Sequence, residues 1–388
     1  MKSNYKQLGQ YIRQVDIRNV DGKEENLLGV SVQKQFIPSI ANTVGTDFSK
    51  YKVVKKGQFT YIPDTSRRGD KIGIALLEDY EEGLVSNVYT VFEVIDRNQL
   101  MPEYLMLWFK RPEFDRYARF KSHGSVREIF GWDEMCKVEL PVPSIEKQRS
   151  IVKEYQTITD RITLKRKIDD NLEATMQAIY KYYFIDFEPF KSQKTQPTKL
   201  GYIPENWTIC KFSDLCELLN GRAYNQDELL NYGKYRVLRV GNFFTQSNWY
   251  YSDMELEDNK YCYPDDLLFC WSASFGLYIW NDVKTIYHYH IWKIDFTKTT
   301  SLYREYIYLY LKQEVEKLSK EGHGSVMAHL TKSGVENLDI VSPPESVIEE
   351  FHSKILPIIE QRKFVEKEIK KLRELQAVYL SRLSLLSF

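Results

Sequence analysis

The residues of this chain that could do chemistry are few, and their spacing assembles no catalytic site. His288 and His290 in the segment YHYHI are separated by one residue. On a β-strand both imidazoles would lie on one face, where they could ligate a metal ion. The spacing indicates no third ligand, and a solvated polar strand face is the more ordinary interpretation. No metal site is therefore predicted.

Motifs of the common catalytic and cofactor sites are missing from the sequence. It contains no GxxxxGKS/T phosphate loop, no GxGxxG, no HExxH and no GxSxG. The five cysteines form no CxxC pair and their number is odd, which argues against a disulfide framework and a thiolate zinc site. We therefore predict no catalytic residue and no cofactor in this chain, which favours a binder or a scaffold over an enzyme.

The composition is typical of a globular protein. The 388 residues are 43% hydrophobic and 28% charged, enough for two or three domains. The 54 basic and 54 acidic residues balance, which weighs against nucleic-acid binding, although a local patch can be basic in a neutral chain. No apolar run is long enough for a membrane span and the start resembles no signal peptide, so we expect a cytoplasmic protein with no membrane contact.

A repeat of about half the chain organises the sequence. The tetrapeptide HGSV begins at His123 and again at His323, 200 residues apart. At the same offset each copy has a candidate helix N-cap, Asp133 or Ser333, with Glu336 completing a capping-box pattern in the second. Each then has a short alternating strand that ends at proline, KVELPVP or NLDIVSP. These features predict one duplicated unit.

A long polar segment with heptad-spaced apolar residues closes each copy over about 33 residues. Ser144 is the expected cap of the first, and Ser346 of the second, slipped by two residues. Such helices would be roughly 50 Å long. Either each packs on its own domain or the two form a coiled coil, and the length favours the coiled coil. Pro357 predicts a kink or a break in the second helix.

The residues expected at the coiled-coil interface are the apolar and aromatic members of the two heptad series. They are Ile151, Tyr155, Ile158, Ile162, Leu172, Met176 and Ile179 in the first helix, and Ile355, Ile358, Val365, Ile369, Leu372 and Tyr379 in the second. Polar residues interrupt the two series at different positions.

The repeat predicts an α+β protein with two similar mixed α/β domains. The expected boundaries are 1–143 for the first domain, 144–190 for the first long helix and a linker, 191–343 for the second domain and 344–388 for the second long helix. Strand-rich runs occur in both domains, for example LVSNVYTVFEVI and TIYHYHIWKI, and a helical stretch precedes each HGS. Two similar domains on a helical spacer would suit a target with two parts, such as a DNA duplex.

The joints between domains and helices resemble one known family. The segment HGSVREIFGWDEMCKVELPVPSIEKQRSIV, above all PSIEKQR from Pro143 to Arg149, resembles the specificity subunit of type I restriction-modification enzymes. The order of domains and helices, and the segment GYIPENWTICKFSDLCELLNGRAY at the start of the second domain, extend the resemblance over nearly the whole chain. The second joint departs from the pattern, because PPESVIEEF lacks the glutamine.

The resemblance implies a non-catalytic subunit in a larger complex. Each globular domain would be a target recognition domain that reads half of a split DNA sequence. The two helices would pack antiparallel, about a pseudo-twofold axis, and act as a ruler for the unspecified spacer. Modification subunits would dock on the helices and supply S-adenosylmethionine and adenine-N6 methylation. Restriction subunits would supply ATP- and Mg-dependent translocation and cleavage.

Candidate DNA-contacting residues are polar, basic and aromatic residues in the segments VQKQF, TSRRGDK, NGRAYNQ, LRVGN and CWSASFG. They are Gln33, Lys34, Gln35, Ser66, Arg67, Arg68, Lys71, Asn220, Arg222, Tyr224, Arg239, Asn242, Trp271, Ser272 and Ser274. An ordinary solvated loop is the alternative for each of them. At HGSV we expect a structural turn in which Ser125 caps toward Glu128, with no ligand role for either histidine.

Two other functions compete with DNA specificity. The neutral charge and 28 tyrosines would suit a two-headed protein-interaction adaptor with a coiled-coil spacer. A nuclease with an unrecognised carboxylate site is the third hypothesis. DNA affinity should fall steeply with salt, which separates the first two.

Overall fold

The computed structural model describes residues 5–22, 24–39, 43, 45–65, 71–123, 128–245, 249–272, 275–320 and 331–385. The helices are α1 Pro102–Phe109, α2 Pro112–Lys121, α3 Trp132–Cys136, α4 Ile145–Phe184, α5 Phe212–Leu215, α6 Asn242–Thr245, α7 Arg304–Lys320, α8 Lys332–Glu336 and α9 Glu345–Arg382.

The strands are short and fall into two series, one on each side of α4. The first series is β1 Tyr5–Gln7, β2 Ile12–Val15, β3 Leu28–Val30, β4 Phe36–Pro38, β5 Lys52–Lys55, β6 Phe59–Tyr61, β7 Ile74–Leu76, β8 Glu82–Val85, β9 Thr90–Val94 and β10 Glu139–Pro141. The second is β11 Thr195–Thr198, β12 Gly201–Pro204, β13 Thr208–Lys211, β14 Glu217–Asn220, β15 Tyr235–Leu238, β16 Tyr250–Ser252, β17 Tyr261–Cys262, β18 Leu267–Cys270, β19 Gly276–Ile279, β20 Thr285–Tyr287, β21 Ile291–Asp295 and β22 Asp339–Ser342.

The chain divides into two compact units, and both long helices contribute to each. Unit 1 is Met1–Lys165 with Glu368–Phe388, and unit 2 is Arg166–Lys367. The boundaries between the units therefore lie within α4 and α9. Each unit combines one globular domain with a section of both helices.

The two globular domains share the topology of their main sheet. In the first, the strand order is β2-β9-β6-β7, and in the second it is β14-β21-β18-β19. Both sheets are antiparallel and both place the last strand of the set beside the first. The smaller sheets differ: the first domain has the antiparallel pairs β3-β4 and β5-β8, whereas the second has a four-stranded sheet that includes the parallel pair β15-β20. The expected pair of similar α/β domains is confirmed.

The joint elements keep the 200-residue offset throughout. The short helices α3 and α8 begin at 132 and 332, the strands β10 and β22 at 139 and 339, and the long helices α4 and α9 at 145 and 345. β10 pairs with β1 and β22 pairs with β13, antiparallel in both cases. The duplication is therefore stricter in the structure than the expected caps suggested.

Ser144 precedes the first long helix, and its Oγ accepts the Lys147 N–H at 3.4 Å. The expected slip of the second cap is wrong, because α9 begins at Glu345 and Ser346 lies inside its first turn. Pro344 precedes α9 instead; its fixed φ suits a helix start, and its carbonyl accepts the Val347 N–H at 2.9 Å.

Two other expected features of the second copy differ from the structure. Ser333 lies inside α8, and the cap is Thr331, whose Oγ1 accepts the Gly334 N–H at 3.1 Å. Of the kink or break expected at Pro357, the break is absent, because α9 is one continuous helix from Glu345 to Arg382 with Pro357 inside it. Pro357 and Ser353, whose carbonyl loses its helical partner, are both exposed, so water can satisfy that carbonyl.

The two long helices run antiparallel within each unit. In unit 1 the Tyr155 and Tyr379 rings lie 6.2 Å apart, and Gln376 Nε2 donates to Thr159 Oγ1 at 2.8 Å. In unit 2 the hydroxyl of Tyr183 donates to Glu350 at 2.6 Å. Residue numbers rise along α4 as those of their α9 partners fall, and all the residues expected at the interface are buried or half-buried.

The ends of the long helices also belong to the domain cores. Ile151 of α4 and Leu380 of α9 pack with the unit 1 core around Phe59 and Phe92. Phe184 of α4 and Phe351 of α9, with ring centroids 4.8 Å apart, pack in the unit 2 core. Each helix therefore packs on a domain and on the other helix. None of the helices in the described ranges has the length and apolar character of a membrane span.

Candidate nucleic-acid interface

The loop of the β3–β4 hairpin carries the first candidate segment, VQKQF. Gln33 and Gln35 are exposed on either side of Lys34, which has a left-handed backbone (φ 63°) and is buried. Lys34 Nζ lies 2.8 Å from the Asp115 carboxylate and donates to the Phe109 carbonyl. The prediction that Lys34 contacts DNA is contradicted by this burial, while the two glutamine amides remain at the surface.

The carboxylate of Asp115 on α2 ties two candidate segments together. Besides Lys34 it accepts the backbone N–H of Ile72 at 3.2 Å, directly after the exposed Lys71 at the end of TSRRGDK. Burial lowers the pKa of Lys34, and the charge of Asp115 opposes that shift without cancelling it. Ser66, Arg67 and Arg68 of the same segment lie outside the described residues.

In the second domain the candidate segments meet at the turn between β20 and β21. TIYHYHIWKI, expected as one strand, is two strands, and residues 288–290 form the turn that joins them. The Arg222 N–H donates to the Tyr287 carbonyl at 3.0 Å and the Tyr289 N–H donates back to the Arg222 carbonyl at 3.0 Å. Trp271 Nε1 donates to the Tyr289 carbonyl at 2.9 Å. The expected strand face with two imidazoles is therefore wrong.

The basic side chains at this turn have different environments. The Arg222 guanidinium binds both carboxylate oxygens of Glu228, at 2.6 and 3.0 Å, and lowers the pKa of that acid. Arg239 is exposed, with its guanidinium 4.7 Å from the centre of the Tyr250 ring. Arg239 is thus better placed than Arg222 to meet a phosphate.

The remaining candidates of the second domain lie at the end of β14, at the start of α6 and in loops. Asn242 is buried and its Oδ1 accepts the Arg239 N–H at 2.9 Å, so its amide belongs to the turn and the predicted DNA contact is contradicted. Asn220 is exposed and Ser272 is half-buried. Tyr224 is half-buried, and its ring lies parallel to that of His288 with centroids 6.3 Å apart. Ser274 is outside the described residues, as are Gly124–Arg127 and the second HGSV.

His288, Tyr289 and His290 were not among the expected DNA-contacting residues. The signal that could have found them is the run YHYH itself, whose four rings concentrate donors and acceptors in one segment. Burial, helped by His290 and Arg239, lowers the pKa of His288 to about 4, and burial also lowers that of His290. Within the described ranges, no three histidine, cysteine or acidic residues are grouped as a metal would require.

Comparison with known proteins adds to this geometry. A family model described as the type I restriction modification DNA specificity domain matches residues 9–174 and, a second time, residues 204–375. The two matches cover most of the chain and coincide with the two copies of the repeat. The chain belongs to this family.

Relatives in the family include specificity subunits from archaea and bacteria. The chain is 25% identical to the type I restriction enzyme MjaIX specificity subunit of Methanocaldococcus jannaschii over 303 residues, which cover 75% of this chain and 70% of that one. It is 22% identical to the HindI specificity subunit of Haemophilus influenzae over 402 residues, 86% of each. The crystal structure of the S subunit of a type I system from M. genitalium shares the fold, with a TM-score of 0.51 over 98% of this chain and 95% of that one at 10% identity.

These matches confirm the expectation that the chain is a DNA-specificity subunit of a type I restriction-modification system, a non-catalytic role. The protein-interaction adaptor is not favoured, because both halves of the chain match a DNA specificity domain. The nuclease hypothesis is likewise not favoured, because the relatives are named as specificity subunits.

The joint of the first specificity domain is held by the glutamine of PSIEKQR. Gln148 is fully buried, and its Nε2 donates to the carbonyls of Gln99 and Pro143 at 2.8 and 2.9 Å. Its Oε1 accepts the Met101 N–H, at the start of α1, at 2.8 Å. The equivalent position of the second specificity domain holds Ile348, which is also fully buried, in an apolar core. Both joints are packed, by different chemistry.

A charged network links the helices beside the second specificity domain. Arg362 of α9 makes a two-pronged contact with Asp169 of α4, at 2.8 and 3.2 Å, and also binds Glu173. Lys312 of α7 binds Glu173 at 2.5 Å and the hydroxyl of Tyr308 donates to it at 3.0 Å. Asp169 and Arg362 are polar interruptions of the two heptad series, and the structure pairs them with each other.

Proposed function

We propose that this chain reads a bipartite DNA sequence, with one half-site for each globular domain, and that the pair of long helices sets the spacer between them. The observation that supports this most strongly is the duplication: two family matches coincide with two domains of one sheet topology. The two domains present different loops on that common frame. Two unlike half-sites follow from this difference.

The chemistry of the loops favours different base contacts in the two domains. In the first, the exposed amides of Gln33 and Gln35 are suited to the paired donor and acceptor of adenine in the major groove. In the second, Arg239 offers an exposed guanidinium beside a turn of neutral rings. The buried Lys34 and Asp115 would support the first of these surfaces without touching DNA.

The long helices offer equivalent apolar positions for docking of modification subunits. Leu164 on α4 and Phe364 on α9 are 200 residues apart in sequence and are 58% and 56% exposed. A large apolar side chain kept at the surface in both copies supports a protein contact there. Two equivalent positions would suit two copies of one partner, the methyltransferase subunit, which would carry S-adenosylmethionine.

The other parts of the proposed system lie outside this chain. Restriction subunits would bring ATP, magnesium and double-strand cleavage to the complex. The complex would work in the cytoplasm, where cellular DNA is accessible.

Sequencing of methylated adenines tests the proposal. The chain is co-expressed with its modification subunit in a host that lacks other adenine methylation. One split motif with an unspecified spacer is expected, and Gln33→Ala with Gln35→Ala should change one half of it only. Gln193→Ala, which changes an exposed glutamine between α4 and β11, is the control. The same methylation without this chain, or one continuous motif, would contradict the proposal, as would binding that is insensitive to salt.

A further inference from the structure

The turn between β20 and β21 presents an exposed tyrosine between two histidines. Tyr289 is 39% exposed at the tip, and His288 and His290 beside it are half-buried. Exposed aromatic residues at a loop tip are costly to leave in water and are common in contact surfaces. None of these three residues is among the DNA-contacting residues predicted from the sequence.

The backbone of this turn is fixed on several sides. Both polar backbone groups of Tyr289 are used, because its N–H donates to the Arg222 carbonyl and its carbonyl accepts from Trp271 Nε1. The His288 N–H donates to the Leu238 carbonyl at 2.9 Å. The turn therefore needs little ordering when a ligand binds, which lowers the entropic cost of association.

The rings of the turn form a continuous row that reaches into the domain core. The centroids of Tyr289 and His290 lie 4.0 Å apart, and those of His290 and Trp271 lie 5.3 Å apart. Trp271 stacks on the buried Trp292 at 5.5 Å with an angle of 17° between the planes. The exposed tyrosine is thus supported by packing down to the core.

The row carries hydrogen-bonding groups without net charge at neutral pH. His288 Nδ1 accepts the His290 N–H at 3.4 Å, which assigns the proton of the neutral ring to Nε2 and makes that nitrogen a donor. The phenol of Tyr289 can donate and accept. The nearby Arg222 is paired with Glu228, whereas Arg239 is exposed. Neutral donors and acceptors suit base edges, and an exposed guanidinium suits phosphate.

We propose that the turn Tyr287–His290, with Tyr289 at its tip, reads bases in the half-site of the second domain, and that Arg239 anchors the adjacent phosphate. This rests on the proposed function and assigns its second half-site to particular residues. The proposal assigns base contacts to the turn and a phosphate contact to Arg239, and these two kinds of contact respond differently to salt. A base contact changes sequence preference and leaves the salt dependence alone, whereas each phosphate contact adds about one unit to the salt slope.

The test uses the full chain in complex with its modification subunits. Tyr289→Ala and His290→Gln are compared with Tyr232→Ala, which removes an 83% exposed tyrosine of the same domain. Binding is measured by titration with duplexes that carry each single base change, at several salt concentrations. Tyr289→Ala should lower discrimination about tenfold or more at one or two positions of one half-site, with an unchanged salt slope. Arg239→Gln should weaken binding to all sequences and reduce the slope by about one.

Two results would overturn the inference. In one, Tyr289→Ala and His290→Gln both keep the wild-type base preference. In the other, both variants lose affinity for every sequence in proportion to a drop in melting temperature, which would indicate a structural role. Tyr289→Phe identifies that outcome. It keeps the ring and should retain stability, but it loses any contact made by the hydroxyl. A wild-type complex that methylates no split motif would overturn the proposed function together with this inference.

Discussion

The two long helices begin at equivalent positions but join their domains by different chemistry. At the start of α4 the buried amide of Gln148 makes three hydrogen bonds to backbone groups of residues 99, 101 and 143. At the start of α9 the buried Ile348 packs against apolar side chains. The repeat has kept the position and the burial of this residue, and it has exchanged the interaction. Each joint is therefore adapted to its own domain.

The contact between α4 and α9 also uses different side chains at equivalent repeat positions in the two units. Arg362 and Asp169, which bind each other in unit 2, occupy the repeat positions of Ile162 and Ile369 in unit 1. Charged side chains replace apolar ones where the helices meet. This half-buried ion pair adds little net stability compared with a good apolar contact, but it is costly to break and it disfavours other registers. We expect the unit 2 section to fix how α4 and α9 align.

The largest effect should come from Arg362→Met, with Ile162→Met at the equivalent repeat position as its match. Loss of the arginine leaves Asp169 without its cationic partner and leaves Glu173 with Lys312 and Tyr308 only. It should cost about 3 kcal/mol, the low end of the range for buried pairs, because Arg362 and Asp169 are half-buried. The volume-conserving change at Ile162 should cost less than about 1.5 kcal/mol. Denaturant unfolding with hydrogen exchange to locate the loss measures both. Equal losses of unfolding free energy in the two variants would show that the helix contact of unit 2 depends on Arg362 no more than that of unit 1 depends on Ile162.

Exchanging the joint residues should have the next largest effect. Gln148→Ile copies the second joint into the first and removes the partner of the Met101 N–H and of the Gln99 and Pro143 carbonyls. Because Gln99 is exposed and its carbonyl can bond water instead, the total loss should be about 1–3 kcal/mol. Ile348→Gln puts an unpartnered amide into an apolar core and should also destabilise. Thermal melts report both. If Gln148→Ile were neutral, the hydrogen bonds at the first joint would be dispensable.

Acid should weaken the helix contact of unit 2 more than that of unit 1. In unit 1, Lys165 and Arg161 also hold the pKa of Glu368 below its usual value, but that side chain is more exposed than Glu173. Burial by itself would raise the pKa of Glu173, but Arg362 and Lys312 outweigh it and hold the pKa below its usual 4.5. A depressed pKa stabilises the fold above 4.5, and this contribution is lost as the pH falls through the folded value. Hydrogen exchange at pH 6 and at pH 3 to 4 should show the loss around Glu173, and Arg362→Met should reduce it. Uniform loss along α4 would contradict this.

The smallest effect is expected at the polar pair of unit 1. Gln376 Nε2 donates to Thr159 Oγ1 at 2.8 Å, and both residues are half-buried. Gln376→Met introduces the residue of the equivalent repeat position, Met176, and should cost about 0.5–1.5 kcal/mol for the lost hydrogen bond. Chemical unfolding measures it. A loss as large as that of Arg362→Met would place a second determinant of register in unit 1.

The sequence predicted the repeat, the long helices and the buried side of each helix, because heptad spacing is local information. It did not predict that Asp169 and Arg362 bind each other, since partners in an antiparallel pair are 193 residues apart and no local pattern joins them. The sequence alone places Lys34 at the surface, whereas in the structure Lys34 has a left-handed backbone and its side chain is buried. The sequence likewise places His288 and His290 on one strand, because no local pattern shows the turn that divides it.

The sharing of both helices between the compact units has a consequence for cleavage of the chain. Residues 191–194, between the two repeats, are all exposed and accessible to a protease. A cut there separates α4 from α9, yet each compact unit contains a section of both. Neither fragment would then hold a complete unit. The nicked protein should remain one particle, and the two fragments, made as separate polypeptides, should complement each other when mixed.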